Sequence, residues 1–231
     1  MKTFYSELFL EDFFKIKKNS LLFLPLGTLE WHGTHLPFGT DLIVATELTK
    51  RIAKKVGGVI LPPLFIGTDR AKTKNKVIFT GMDLHLKKKL PGSLYYLKPS
   101  LFFKVLESLI IHIKTQGFKK LVIVTGHAGS RQIKVLDAIQ KKHSCPNFKI
   151  LIINPYQAIK EKHKATHAGY EETSLLWALR PDLIKKSKKA KSDPDVIRWV
   201  GIEPRIKSSK RFGKKFLEEI IKNSLKLIKT N

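Results

Sequence analysis

The chain has 231 residues and a mass of 26.4 kDa, a length that fits one α/β domain or two small ones. Its apolar runs are shorter than the roughly 20 residues that a membrane-spanning helix needs, and its single cysteine excludes an intrachain disulfide. The formal net charge is +25, from 44 Lys and Arg against 19 Asp and Glu. Because the amino terminus lacks a secretory-signal pattern, we predict a cytoplasmic protein with no membrane partner.

The basic residues are clustered at 87–89, 185–191 and 207–215. A surplus of this size makes nucleic-acid binding an alternative, since Lys and Arg release counterions from phosphates. The sequence has no arginine-rich arm, zinc-finger spacing or aromatic–basic RNA motif, so we do not expect nucleic acid as a partner. We interpret the surplus as a solvated, lysine-rich surface, with the attraction of an anionic substrate as the other possibility.

Short apolar strands alternate with helical patterns, which is typical of a parallel sheet covered by helices. The predicted strands are 21–26, 58–61, 121–125 and 149–155. The predicted helices are 41–55, 100–115, 130–142, the second half of 167–179, and 213–229. Residues 62–97 are the least regular part, because proline and glycine punctuate them. We predict an α/β fold, a three-layer α/β/α sandwich with a mainly parallel central sheet, in a single domain over residues 1–231.

Two of these helices carry more detailed signals. Thr40 is placed to cap the helix at 41–55. In the helix at 100–115, apolar residues recur every four positions and are predicted to face inward. They are Leu101, Val105, Leu109 and Ile113.

The loop after the first strand, GTLEWHGTHLPFGTD at 27–41, carries candidate metal ligands. Glu30 and His32 stand two residues apart, so on an extended segment their side chains leave the same face. They follow a buried strand at the edge where open α/β sheets place their sites, and Asp41 ends a loop long enough to fold back on them. One imidazole with two carboxylates suits Zn²⁺, Mn²⁺ or Fe²⁺, so we predict a metal site here.

Two later segments add further candidates. His127 follows the strand at 121–125 between small residues, so its side chain is expected at the same sheet edge. His167 precedes a helix whose first turn carries Glu171 and Glu172. Acidic residues favour helix starts, which is our interpretation of Glu171, whereas a functional role is favoured for His167 and Glu172.

Taken together, these segments resemble the creatininase family of metal-dependent amidohydrolases. The resemblance is carried by GTLEWHGTHLPFGTD at 27–41, TGHAGS at 125–130, HAGYEETS at 167–174 and, in addition, LPGSLYYL at 90–97. The motifs occur in the family's order and with similar spacing. The first is long and specific, and the resemblance extends over about residues 20–228, nearly the whole chain.

The resemblance implies a creatininase-like fold and a site for two divalent metal ions per subunit, with Zn, Mn or Fe as candidates. Glu30 and His127 would hold one ion and His32 the other. Asp41 would bridge both ions, and Glu172 would complete the second site. Members with this architecture are commonly homohexamers, so a homohexamer is the expected assembly.

The remaining roles also follow from the resemblance. Glu172 is nominated as a ligand because Gly129 stands where the creatinine-hydrolysing enzyme has a ligating glutamate. In family members of this glycine type, the glutamate of the last motif takes over. His167 matches the histidine proposed to move protons near the scissile bond. The predicted catalytic residues are therefore His167 and Glu172.

The chain also departs from the family pattern. Ala128 and Ser130 alter the turn after the histidine, and Tyr170 stands where many members have a glutamate. Residues 70–89 are basic and look like an insertion, which we interpret as a pocket lid or an oligomer contact. With Gly129, these departures make creatinine itself an unexpected substrate.

The predicted function is hydrolysis of a non-peptide C–N bond, in a cyclic amide, lactam or formamide, by a metal-activated water. A close alternative is a deformylase acting on a formylamino-pyrimidine nucleotide in flavin-type cofactor biosynthesis, as in some archaeal family members. A peptidase that trims a small modified peptide is a related variant. Outside catalysis, the alternatives are a polyanion- or nucleic-acid-binding protein and a metal-dependent assembly protein on the same scaffold.

Overall fold

The computed structural model describes residues 4–16, 20–94, 96–157, 167–185 and 207–230. The basic cluster at 185–191 lies outside these residues except for Lys185. Within the described ranges, no helix is both long enough and apolar enough to cross a membrane.

The secondary-structure elements follow the predicted alternation. The strands are β1 (Leu21–Leu26), β2 (Val59–Ile60), β3 (Ala71–Lys74), β4 (Val77–Thr80), β5 (Lys120–Thr125) and β6 (Lys149–Ile153). The α-helices are α1 (Leu10–Lys15), α2 (Thr40–Val56), α3 (Met82–Leu86), α4 (Pro99–Thr115), α5 (Ser130–His143), α6 (Tyr170–Leu179) and α7 (Lys210–Thr230). Short 3-10 turns lie at Tyr5–Glu7 and Pro181–Leu183.

The central sheet is parallel and has the strand order β2–β1–β5–β6. The two middle strands, β1 and β5, pair along their whole length, from Leu21 opposite Lys120 to Leu26 opposite Thr125. Nearly all of their residues are buried, as expected of strands that are covered on both faces. Because these strands lie side by side, the loops that follow them leave the sheet at the same edge.

Helices cover both faces of this sheet, so the predicted three-layer α/β/α architecture is confirmed. On one face, alternate β1 residues Leu22, Leu24 and Leu26 pack with α4 and α5. On the other face, Phe23 packs in a second core with α2, α6 and α7. The alternation follows from the two-residue repeat of a strand, which sends successive side chains to opposite faces.

The predicted cap of α2 is wrong. Thr40 is the first residue of the helix, and Gly39 holds the cap position. The Thr40 hydroxyl instead donates a hydrogen bond to the carbonyl oxygen of Pro37, at 2.6 Å. The hydroxyl therefore fixes the preceding loop rather than the free N–H groups of the helix.

The predicted inward face of α4 is also wrong in its first half. Leu101 is 49% exposed and Val105 is 36% exposed. The buried residues of this helix are Phe102, Leu106, Ile110 and Ile113. A spacing of four residues turns about 40° further than one turn of 3.6 residues, so a strict four-residue repeat drifts off any single face.

Residues 70–89, predicted as an insertion in an irregular region, contain an antiparallel β3–β4 hairpin and the short helix α3. Asp83 fixes the base of this segment and is only 1% exposed. Its carboxylate accepts hydrogen bonds from the backbone N–H groups of Thr80 (3.0 Å) and Leu90 (2.8 Å). The ammonium group of Lys89 also donates to it, at 2.7 Å. The segment is therefore an ordered unit with its own polar anchor.

The corrected face of α4 can be tested with two identical substitutions in one helix. Leu106→Ala removes a fully buried side chain and is expected to lower the free energy of unfolding by about 2–5 kcal/mol. Leu101→Ala removes a half-exposed side chain and should change the free energy of unfolding by no more than about 0.5 kcal/mol. Urea unfolding of both variants measures the difference, and equal losses would contradict the assigned face.

Candidate metal centre

The start of α2 lies directly against the ends of β1 and β5. A Cβ atom added at Gly27, after β1, would collide with the backbone of Asp41, and so would one added at Gly126, after β5. Glycine at both strand ends therefore lets the helix approach the sheet. This approach brings the Asp41 side chain between the two loops that carry the other candidate ligands.

Glu30, Asp41 and His127 form the first group of candidate ligands, and their donor atoms lie within 4.8 Å of one another. The Nδ1 atom of His127 is 3.1 Å from Asp41 Oδ2 and 3.3 Å from Glu30 Oε2. All three side chains are buried. Two carboxylates and one imidazole are a suitable set for a divalent transition-metal ion.

His32, His167 and Glu172 form the second group. The Nε2 atom of His32 is 3.7 Å from Glu172 Oε2, and the rings of His32 and His167 are 4.4 Å apart. Two hydrogen bonds hold the Glu172 carboxylate, one from the backbone N–H of Ala168 (2.7 Å) and one from the Tyr156 hydroxyl (3.1 Å). The predicted ligand of the second site is thus already oriented by the protein.

Asp41 belongs to the first group and also faces the second. Its Oδ1 atom lies 3.2 Å from Nε2 of His32, and its Oδ2 atom accepts a hydrogen bond from His127 Nδ1. The Thr28 hydroxyl donates to the same Oδ2 atom. Because each oxygen faces a different imidazole, this carboxylate is able to contact two ions at once.

Several buried polar atoms at the centre of the site have no hydrogen-bond partner among the described residues. They are Glu30 Oε2, His32 Nε2 and His127 Nε2. Leaving such an atom unsatisfied costs about 1–3 kcal/mol. Glu30 Oε2 and His32 Nε2 face into the two ligand groups, where a cation would satisfy them. The residues present therefore fit a metal centre.

The electrostatics of the site favour positive charge. Burial raises the pKa of the Glu30 carboxyl, but the neighbouring His167 and His127 outweigh it and lower the pKa to about 2. Burial also raises the pKa of Asp41, and the adjacent imidazoles bring it well below its usual value. Burial lowers the pKa values of His32 and His127, yet the facing carboxylates raise both well above normal. Divalent ions supply the same compensation as these imidazolium charges.

The two ligand groups open into a cavity of about 310 Å³ whose wall includes residues that were not among the predicted site residues. Asp69, Arg70, Met82 and His85 come from the segment around the β3–β4 hairpin, and Tyr156 comes from the loop after β6. The strand-edge rule that located the first motif could also have found Tyr156. Arg70, Met82 and His85 belong to residues 70–89, the segment interpreted from the sequence as a pocket lid or an oligomer contact, whereas Asp69 had no comparable signal.

His167 lies between the ligands and the loop that carries the first motif. Its Nε2 atom is 2.6 Å from the carbonyl oxygen of Trp31, and its ring stacks on the indole at 6.4 Å and 17°. Because a carbonyl oxygen can only accept, Nε2 carries the hydrogen and Nδ1 is left for an ion or a proton. His35 connects this loop to α6, with its Nε2 atom 3.0 Å from the Thr173 hydroxyl.

The chain belongs to the creatininase family, because the family model, described as creatinine amidohydrolase, matches residues 7–227. It is similar to creatinine amidohydrolase of Pseudomonas putida, with 26% identity over 182 residues, 71% of this chain and 66% of that protein. It is also similar to 3-dehydro-scyllo-inosose hydrolase of Thermotoga maritima, with 26% identity over 192 residues, 78% of this chain and 57% of that protein. The matches span less than two thirds of the length of these relatives.

Solved structures share the fold. A creatininase mutant with tryptophan replaced by phenylalanine superposes with a TM-score of 0.77 at 20% identity, covering 99% of this chain and 98% of that one. A mutant in the Zn–Zn form gives a TM-score of 0.74 and a manganese form gives 0.73, both at 20% identity, with 100% and 98% of the two chains covered. The resemblance found in the sequence motifs is therefore confirmed, as is the creatininase-like fold.

Ion binding at this site can be tested through stability. Adding Zn²⁺ or Mn²⁺ to metal-stripped protein is expected to raise its thermal unfolding midpoint, because the ions bind the folded state. At a free concentration of 100 times Kd, the gain is about 2.7 kcal/mol. Asp41→Ala removes the carboxylate that faces both groups and should abolish the gain. Asp137→Ala, an exposed site on α5, should retain it.

Elemental analysis of the same preparations provides the second readout. Wild-type and Asp137→Ala protein should carry ions after gel filtration, and Asp41→Ala should carry none. Full metal content and an unchanged stability gain in Asp41→Ala would contradict the conclusion that this carboxylate is placed to contact both ions.

Proposed function

We propose that the protein is a metal-dependent amidohydrolase that cleaves a non-peptide C–N bond in a small amide, using two divalent ions. The observation that carries this proposal is the Asp41 carboxylate, whose two oxygens face different imidazoles, His32 at 3.2 Å and His127 at 3.1 Å. Membership of the creatininase family supports the same reaction class.

In this proposal, Glu30, Asp41 and His127 hold one ion, and His32, Asp41 and Glu172 hold the other. Ions bound at these positions supply a nucleophilic water at neutral pH and polarise the scissile carbonyl group. The protein contributes the orientation of the ligands. The Ala168 N–H and the Tyr156 hydroxyl fix Glu172, and the backbone carbonyl of Glu30 accepts a hydrogen bond from Nδ1 of His32 at 2.9 Å.

His167 is proposed to carry the proton to the departing nitrogen. It lines the cavity beside Glu172, and its Nε2–H is engaged by the Trp31 carbonyl oxygen. Its Nδ1 atom is then the only ring nitrogen free to exchange a proton with substrate. The stacked indole holds the plane of the imidazole, which keeps this atom at a fixed position.

The cavity favours a substrate with an acidic group. Four carboxylates line this cavity, and two divalent ions would balance their charge. They belong to Glu30, Asp41, Asp69 and Glu172. Arg70 and His85 line the same cavity, and the Arg70 side chain is exposed. A positive field from a chain of net charge +25, with Arg70 on the cavity wall, attracts anions. We therefore propose a cyclic amide, lactam or formamide that carries a carboxylate or phosphate.

The net charge also favours one second candidate, a polyanion-binding protein on the same scaffold. The hydrolase and the polyanion-binding protein differ in how their activities depend on salt and on metal. Polyanion binding through counterion release weakens steeply as salt rises and does not need the metal. Hydrolysis requires the loaded site.

A panel of amides tests the main proposal. Protein reconstituted with Zn²⁺ or Mn²⁺ is incubated with cyclic amides, lactams and formamides, each in a neutral and an acidic version of the same skeleton. We expect metal-dependent turnover, with a lower KM for the acidic member of an active pair. Salt-sensitive binding of DNA without turnover of any amide would instead support the polyanion-binding protein.

His167→Ala tests the proposed proton carrier. The variant is expected to bind both ions as tightly as the wild type, because the proposal assigns the second ion to His32, Asp41 and Glu172 and, of the candidate group, leaves His167 for proton transfer. Its turnover should fall by about 10²–10⁴-fold, the usual contribution of a general acid. Turnover on an active substrate and metal content by elemental analysis are measured together. An unchanged rate would exclude the role, and loss of one ion would make His167 a ligand.

A further inference from the structure

The candidate ligands His32 and His127 differ in the hydrogen bonds made by the ring nitrogen that points away from the ligand group. A histidine that binds a metal ion through one ring nitrogen normally donates a hydrogen bond through the other, which fixes its tautomer and orientation. In His32, Nδ1 donates to the backbone carbonyl of Glu30 and Nε2 faces Asp41. His127 has the opposite orientation, because its Nδ1 faces the ligand group. Its Nε2 atom is buried and has no hydrogen-bond partner among the described residues.

Asp69 provides an acceptor on the side of His127 that faces away from the ligand group. Its Oδ2 atom lies 4.0 Å from Nε2 of His127, while its Oδ1 atom accepts the backbone N–H of Arg70 at 2.6 Å. A Cβ atom at Gly129 would lie 2.5 Å from Nε2 of His127 and 3.1 Å from Cγ of Asp69. Glycine at this position therefore keeps the space between the carboxylate and the imidazole open.

Buried hydrogen bonds connect the segment that carries Asp69 to the backbone of His127. Gln132 is fully buried, accepts the backbone N–H of Thr68 (3.1 Å) and donates to the Thr125 hydroxyl (3.0 Å). The Thr125 hydroxyl in turn donates to the carbonyl oxygen of His127, at 2.8 Å. These hydrogen bonds therefore hold the backbone of His127 and the segment of Asp69 in a fixed relation to each other.

We propose that Asp69 is a positioning residue for His127: its carboxylate accepts the Nε2–H of the imidazole and leaves the Nδ1 lone pair for the ion. This inference rests on the proposed function, since it requires an ion beside His127. It assigns a positioning role to a residue that lies outside the motifs that carry the candidate ligands.

Metal affinity of four variants tests this role. Asp69→Ala, Asp69→Asn, His127→Ala and the exposed control Asp137→Ala are stripped of metal and titrated with Zn²⁺ against a chromogenic chelator. Asp69→Ala should weaken the binding of one ion by about 10–100-fold and leave the other unchanged. Asp69→Asn keeps an oxygen that accepts a hydrogen bond, so its loss should be smaller. Asp137→Ala should match the wild type.

A double variant separates positioning from direct binding. If Asp69 acts through the imidazole, Asp69→Ala has no further effect on Zn²⁺ affinity in the His127→Ala background. Additional loss in that background would overturn the role, because it would make Asp69 a ligand in its own right. Wild-type Zn²⁺ affinity in Asp69→Ala would also overturn the positioning role. The proposed function would still stand in that case, provided that the protein binds two ions. A wild-type protein that binds no ion would overturn both.

Discussion

One carboxylate held between two imidazoles determines the geometry of the candidate centre. Asp41 reaches this position because α2 begins in contact with the ends of both middle strands, where Gly27 and Gly126 leave room for its backbone. A side chain at either strand end would push the helix outward, and the two ligand groups would separate. Since β1 and β5 are neighbours in the sheet, the loops that follow them converge on the same carboxylate without a long excursion.

The electrostatics follow from this convergence. Bringing several carboxylates into a buried space is unfavourable unless positive charge accompanies them. The structure meets this requirement with imidazoles, whose pKa values are raised by the facing carboxylates. The same surroundings make the centre receptive to divalent ions. Arg70 and His85 line the same cavity, so the candidate centre combines buried carboxylates with nitrogen-bearing side chains.

The sequence predicted which candidate ligands lie together better than it predicted the packing around them. Glu30 and His32 follow a wholly apolar strand, and His127 follows one that is apolar from Leu121 to Val124. Parallel strands of this kind end at the same sheet edge, so the convergence of these side chains could be foreseen. Asp69 could not be found in this way, because its position depends on buried hydrogen bonds through Gln132 that span distant parts of the chain. The face of α4 was missed because adjacent apolar residues, among them Leu101 next to its buried neighbour, give two overlapping stripes.

Asp83 anchors the segment of residues 70–89, which contributes Arg70, Met82 and His85 to the cavity wall. The hydrogen bonds that its carboxylate accepts come from residues 80–90, so they hold the hairpin and α3 together within the segment itself. The segment still meets the candidate centre at Gly81, where an added Cβ atom would lie 2.7 Å from Glu30 Oε1, so changes in the hairpin would reach the first ligand group at this turn. The two strands of the hairpin are mostly exposed, so evolution is able to vary one side of the cavity on a constant scaffold as long as the turn at Gly81 is kept.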